Sequence, residues 1–174
     1  MELTPSELTI LGLIVEQPRH GWDIEQVIEQ RGIRQWTDIG FSSIYYLLTK
    51  LEKRGLIAAR RSGPGAKSRR VLHATDSGRR AAATAARALI AEARPAPHPL
   101  LVGLANSSLL PRADYDACLQ DRLARLDARM AAVADAERSQ APLPPAAREV
   151  FSLTRHLLAA ERSWLAERIE DSHA

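Results

Sequence analysis

The chain has 174 residues, with 24 basic against 21 acidic side chains and a net charge of +3, which excludes both a polycation and an acidic tail. Its single cysteine, Cys118, excludes a disulfide framework and a cysteine-based zinc site. No apolar run approaches the roughly 18 residues of a membrane span, and MELTPSELTI lacks the basic start and cleavage site of a signal peptide, so a cytoplasmic protein with no membrane partner is expected.

In chain order, Thr4 reads as the N-cap of a first helix over residues 4–16, with Pro5 in the first turn and Glu7 completing a capping box. Leu8, Ile10, Leu11, Leu13, Ile14 and Val15 make it apolar nearly all round, as in a buried helix. Residues 22–31 read as a second helix with Ile24, Val27 and Ile28 inward, ending near Gly32. A connector over 33–40 contains Trp36, and both Trp22 and Trp36 read as packing residues. A third helix, Phe41 to Arg54, closes at Gly55. Ile44, Leu48 and Leu51 share one side at 100° per residue, with Tyr45 at the edge of that buried arc, read as core or near-core, the alternative being a hydroxyl near a DNA backbone. Ser42, Tyr46, Thr49 and Lys53 share the other, flanked by Ser43 and Lys50.

Leu56–Arg61 and Arg69–Ala74 read as two strands joined by a loop over 62–68 containing Gly63-Pro64-Gly65. Thr75 caps a fourth helix running to about Arg94. Pro95, Pro97 and Pro99 mark a domain boundary, giving domains 1–94 and 95–174. Beyond it come a short apolar helix over 100–110 and two long helices over about 113–138 and 146–170. Leu119, Leu123, Leu126, Met130 and Val133 form a heptad-like seam. The last helix presents Val150, Leu153, Leu157 and Trp164, with Phe151, Leu158, Leu165 and Ile169 alongside. That wide arc suits a helix with two neighbours.

Charge is unevenly spread. Residues 1–49 hold 3 basic and 7 acidic side chains, while residues 50–80 hold 10 and 2, a local net of +8. That stretch coincides with the third helix and the hairpin. Three helices, a two-stranded hairpin and a helix form the order of a winged helix-turn-helix. The fold class expected is mainly α: a winged helix with a two-stranded β-wing, then a helical dimerisation domain. A helix with exposed hydroxyls and amines can enter a major groove, and a basic hairpin can meet phosphate. The candidate DNA-binding residues are Ser42, Ser43, Tyr46, Lys50, Lys53, Arg60, Arg61, Lys67, Arg69 and Arg70. The candidate dimer-interface residues are Leu119, Leu123, Leu126, Met130, Val133, Leu157, Trp164 and Leu165.

Specific motifs carry a family resemblance. His20-Gly21-Trp22-Asp23-Ile24 resembles an element of PadR-type transcriptional regulators. Gly40-Phe41-Ser42-Ser43-Ile44-Tyr45, followed by Leu51-Glu52-Lys53-Arg54-Gly55-Leu56-Ile57, resembles that family's recognition-helix signature. Thr75-Asp76-Ser77-Gly78-Arg79 is similar to the start of its fourth helix, with Ala74 where leucine is usual. Leu153-Thr154 and Glu161-Arg162-Ser163-Trp164-Leu165 resemble the tail of the subgroup with a two-helix C-terminal domain. The wing tip departs from the family pattern, with Gly-Pro-Gly-Ala-Lys-Ser-Arg-Arg at residues 63–70 and His73 where an aromatic is usual. The resemblance implies a homodimeric repressor on a pseudo-palindromic double-stranded operator, and a small aromatic effector bound between subunits.

Catalysis is not expected. His20, His73, His98, His156 and His173 show no metal-ligand spacing, and no nucleophile motif is present. No cofactor or metal is expected. Two alternatives remain at this point: a winged-helix module that binds a protein, and a MarR-like regulator.

Overall fold

The computed structural model describes residues 2–61, 70–93 and 98–173, and in these ranges the side chains of Phe41, Ser42, Arg61, Ser172 and His173 lie outside the description. The expected wing loop with Lys67 and Arg69, and Pro95 and Pro97, also lie outside the described residues. The chain divides into two compact units, Met1–Arg94 and Pro95–Ala174.

In the first unit, α1 (Pro5–Glu16) begins with a reciprocal cap. The Glu7 backbone N–H donates to Thr4 Oγ1 at 3.2 Å, and the Thr4 N–H donates to Glu7 Oε2 at 2.8 Å. Each satisfies a donor that a helix start leaves orphaned. Next comes α2 (Gly21–Gln30), where Asp23 accepts from the His20 N–H at 3.1 Å. A 3₁₀ turn, Ile33–Gln35, leads to α3 (Phe41–Lys53). Gly55 then takes φ +67°, a left-handed stop that L-residues disfavour.

Strands β1 (Ile57–Arg61) and β2 (Arg70–Ala74) pair antiparallel, from Ile57 opposite Ala74 to Arg61 opposite Arg70. On its other side β2 exchanges two backbone hydrogen bonds between Leu72 and Arg19, of 2.8 and 3.1 Å. The hairpin is thereby tied to the segment between α1 and α2. Next, α4 (Asp76–Ala91) is capped by Thr75, whose hydroxyl accepts from the Gly78 N–H at 3.0 Å and donates to the Gly55 carbonyl at 2.8 Å. Its first turn presses on the backbone of Leu56: a Cβ at Gly78 would stand 2.0 Å from the Leu56 oxygen.

The core is aliphatic. Ile10, Leu11 and Ile14 of α1, Ile24 and Ile28 of α2, and Ile44 and Leu51 of α3 are fully buried together. Three expectations fail here. Trp22 is 63% exposed, Trp36 54% and Tyr45 55%. Branched side chains already fill the centre, Leu47 and Leu48 complete the inner face of α3, and the rings remain outside.

In the second unit, α5 (Pro99–Ala105) and a 3₁₀ turn (Ser107–Leu109) precede α6 (Arg112–Ser139) and α7 (Pro145–His173). The two long helices run antiparallel. Their ion pairs show it: Arg122–Glu161 at 2.6 Å and Asp127–Arg162 at 2.7 Å lie farther from the connecting turn on both helices than Glu137–Arg155 at 3.4 Å. Between the rungs, Leu119, Leu126 and Val133 pack with Leu158 and Leu165 in a heptad seam. Leu123, Met130, Phe151 and Trp164 flank it, partly buried.

This corrects the expected use of the seam. Leu119, Leu126, Val133 and Leu165 are buried against the neighbouring helix of their own chain, so they present no surface to a second one. A heptad stripe specifies a helical partner without saying whose it is. Leu157 lies outside the seam and is 63% exposed. The fold class is otherwise as the sequence predicts: mainly helical, with one two-stranded antiparallel sheet among the described residues.

Candidate nucleic-acid interface

The inner face of α3 is anchored by Ile44, Leu47, Leu48 and Leu51. The anchoring fixes the outer face. Tyr46, Thr49 and Lys53 are exposed there at helical spacing. The Thr49 hydroxyl donates to the Tyr45 carbonyl at 2.9 Å, so it offers outward its methyl group and its acceptor lone pairs. Tyr46 offers a phenol and Lys53 three N–H donors. Ser43 is half-buried beside the Gly40 cap. The Tyr45 ring lies over Gly21, joining the outer face of α3 to the start of α2.

Lys50 departs from expectation. Its ammonium turns back toward α1 and sits 2.9 Å from Glu7 Oε1. Arg54 reaches the same carboxylate oxygen at 3.0 Å. Glu7 is 1% exposed. Burial alone would raise its carboxyl pKa, but the Thr4 N–H, the Lys50 ammonium and the Arg54 guanidinium outweigh it and hold the group below the usual carboxylate range. One residue therefore caps α1, pairs with two cations of the basic stretch and sets α3 against α1. Sequence reasoning found the cap and missed the other two roles, because a capping glutamate is expected to face water.

Other cations of the stretch are committed too. Arg79 donates to the Val15 carbonyl at 3.3 Å, covering the end of α1. Arg70 pairs with Glu52 of α3. Glu52 is already counted in the net of +8, whereas Glu7 lies outside the stretch, so its single negative charge lowers the charge available to a partner by one. Arg60 on β1 and Lys53 on α3 are exposed, and Arg70 is exposed beyond its ion pair. Ser42 and Arg61 fall within α3 and β1, with side chains outside the description, and Lys67 and Arg69 lie in the undescribed loop.

The start of α2 borders this surface. His20 Nδ1 donates to the Arg70 carbonyl at 3.0 Å. His20, Trp22, Asp23 and Arg70 line an open hollow of about 460 Å³. Among the described residues, no group of three or more His, Cys, Asp or Glu side chains could hold a metal ion. Among them too, no helix is long and apolar enough to cross a membrane.

Three helices, a hairpin and a fourth helix, with the third helix's polar face outward, define a winged helix-turn-helix domain. Comparison with known families is in keeping with that fold: residues 10–84 match the model of the Transcriptional regulator PadR-like family. That family is one of transcriptional regulators and not an enzyme class. Comparison with curated proteins gives no match. Among solved structures, Bacillus subtilis PadR in complex with operator DNA has a TM-score of 0.78 at 21% identity, covering 97% of this chain and 99% of that one. The same protein in complex with p-coumaric acid gives 0.78 at 21% identity, covering 97% and 98%. The PadR-like transcriptional regulator BC1756 from Bacillus cereus gives 0.70 at 18% identity, covering 96% and 97%. The fold is shared along nearly the whole chain.

Proposed function

We propose that this protein is a homodimeric transcriptional repressor that binds a pseudo-palindromic operator through its first unit. The observation that carries the reading is the outer stripe of α3. Tyr46, Thr49 and Lys53 stand exposed on a helix whose other face is locked into the core, with the basic hairpin beside it. An exposed helix of this kind fits a major groove, and its phenol, hydroxyl and amine can meet base edges and phosphates. Ser42 and Ser43 would extend the contact at the helix start. Arg60, Arg61, Lys67, Arg69 and Arg70 would meet phosphate along the wing. Lys50 is left out, because Glu7 holds it. The likeness to a PadR solved with operator DNA supports this reading.

The second unit would pair subunits through the apolar stripe that the seam leaves exposed, Val150, Leu153 and Leu157 on α7. A small aromatic effector binding near that pairing would change the spacing of the recognition helices and so the fit to half-sites. The p-coumaric acid complex of the similar protein motivates the effector class.

The test is fluorescence anisotropy with a labelled duplex from upstream of the protein's own gene, over a salt series. Binding that weakens linearly in log–log form with salt is expected. An absence of binding at low salt would overturn the reading. In a reporter strain, repression relieved by the effector is expected, and activation would overturn the repressor assignment.

A further inference from the structure

The hairpin ladder makes Arg61 and Arg70 direct cross-strand partners. Like charges opposite one another on a hairpin are destabilising unless an anion lies close. The chain supplies one: the Glu52 carboxylate on α3 binds the Arg70 guanidinium. Backbone and side chain of Arg70 are held very differently. Its backbone is fixed in the ladder, and its carbonyl accepts from His20 Nδ1 at 3.0 Å. Its side chain is 60% exposed, and that of Glu52 is 35% exposed. The guanidinium can therefore change partner without the strand moving. The hollow beside it, lined also by His20, Trp22 and Asp23, gives it room to turn.

Glu52 also lies at the margin of the outer stripe, next to Lys53 and three positions after Thr49. A carboxylate and a phosphate offer an arginine the same paired acceptors. We propose that Glu52 is an internal stand-in for DNA phosphate. It holds Arg70 in the free protein, a backbone phosphate displaces it on binding, and Glu52 thereby sets how tightly the protein holds DNA of any sequence. This rests on the reading of the first unit as DNA-binding. The exchange trades one ion pair for another, so each contact made by Arg70 yields less affinity than an unengaged arginine would.

The test uses the full chain and a 30-base-pair duplex of random sequence, with anisotropy read across a salt series. Glu52→Gln is expected to bind roughly twofold to fivefold tighter at low salt, the range of an exposed ion pair. Glu52→Asp keeps the charge and shortens the reach, and is expected to tighten binding as well. In an Arg70→Ala background, Glu52→Gln is expected to change nothing. Unchanged affinity of Glu52→Gln overturns the proposal. So does tightening that persists in the Arg70→Ala background, which would assign the effect to bulk charge. If the wild type binds no duplex at low salt, the DNA-binding reading itself fails. Wild-type binding that is indifferent to residue 52 fails only this inference.

Discussion

Glu7 in the first turn of α1 and Arg54 at the end of α3 are 47 positions apart and meet at 3.0 Å. Their contact, with Lys50 at 2.9 Å, fixes the helix with the exposed polar stripe against the most buried helix of the unit. Removing one partner of a buried ion pair leaves charge uncompensated, which costs more than the pair contributes. Glu7→Gln is expected to lower unfolding free energy by about 2–4 kcal/mol. Urea denaturation followed by circular dichroism measures it. A change within about 0.5 kcal/mol, typical of surface sites, would remove Glu7 from the role described here.

The same carboxylate gives the stability a pH dependence. In the folded chain Glu7 titrates below its ordinary value of 4.5. Glu16 does so too, first through hydrogen bonds from Arg31 and also through the charges of Arg31 and Arg19. A carboxyl with a depressed folded pKa is protonated first in the unfolded chain, so it stabilises the fold above its unfolded pKa. That contribution disappears as pH falls through the folded value. The urea midpoint should be level from neutral pH to about 5 and then decline. In Glu7→Gln the decline should be shallower, leaving the part owed to Glu16. Equal acid sensitivity in both proteins would contradict the assignment.

Gly78 is the tightest backbone approach in the first unit's described glycines, with a Cβ position 2.0 Å from the Leu56 oxygen. The neighbour is main chain at the start of the hairpin and cannot rotate away. Gly78→Ala should force α4 off β1 despite alanine's better helix propensity. The expected loss is about 3 kcal/mol or more, at the severe end of single substitutions. Ala83→Gly, at an exposed position on the same helix, should cost only about 1 kcal/mol. If the two variants melt together, helix propensity and not the contact governs this turn.

Much of this was legible in the sequence, and the limits have physical causes. Caps and glycine stops are local, so Thr4, Thr75 and Gly55 marked their helix ends to within a residue or two. Heptad spacing placed the α6–α7 seam, but periodicity is blind to chain identity, and the partner proved to be the same chain. The aromatic residues misled for another reason. Size and apolarity suggested that Trp22, Trp36 and Tyr45 pack inside, whereas the branched residues of three helices had already filled the core. Charge counting located the basic stretch. It could not show that Glu7, Glu52 and the end of α1 engage Lys50, Arg54, Arg70 and Arg79, because those contacts join residues up to 64 positions apart.

The two apolar stripes of α7 separate stability from assembly. Leu165 is fully buried in the seam, and Leu165→Ala should cost about 2–4 kcal/mol through lost burial and a residual cavity. Leu157 is exposed, so Leu157→Asp should leave the protomer's stability within about 0.5 kcal/mol. Under the proposed dimer it should instead shift sedimentation toward the monomer, since it buries a charge at an apolar contact. A Leu157→Asp protein that remains dimeric would move the interface elsewhere.

Lys50 and Lys53 lie three positions apart on α3, and the structure divides their work. Lys50 is held by Glu7 and Lys53 is exposed. If α3 enters the groove as proposed, Lys53→Ala removes a phosphate contact. Binding should weaken across all duplex sequences, and the slope of log affinity against log salt should fall by about 0.9. Lys50→Ala should leave that slope unchanged, because no counterion is released from a cation already paired within the protein. It should instead lower the urea midpoint, leaving Glu7 with one cation fewer. Measuring slope and midpoint on both variants gives a crossed pattern, with each lysine moving one quantity. The reverse pattern would mean that Lys50 leaves Glu7 to reach DNA, and that the outer face of α3 is centred one helical turn from the stripe formed by Tyr46, Thr49 and Lys53.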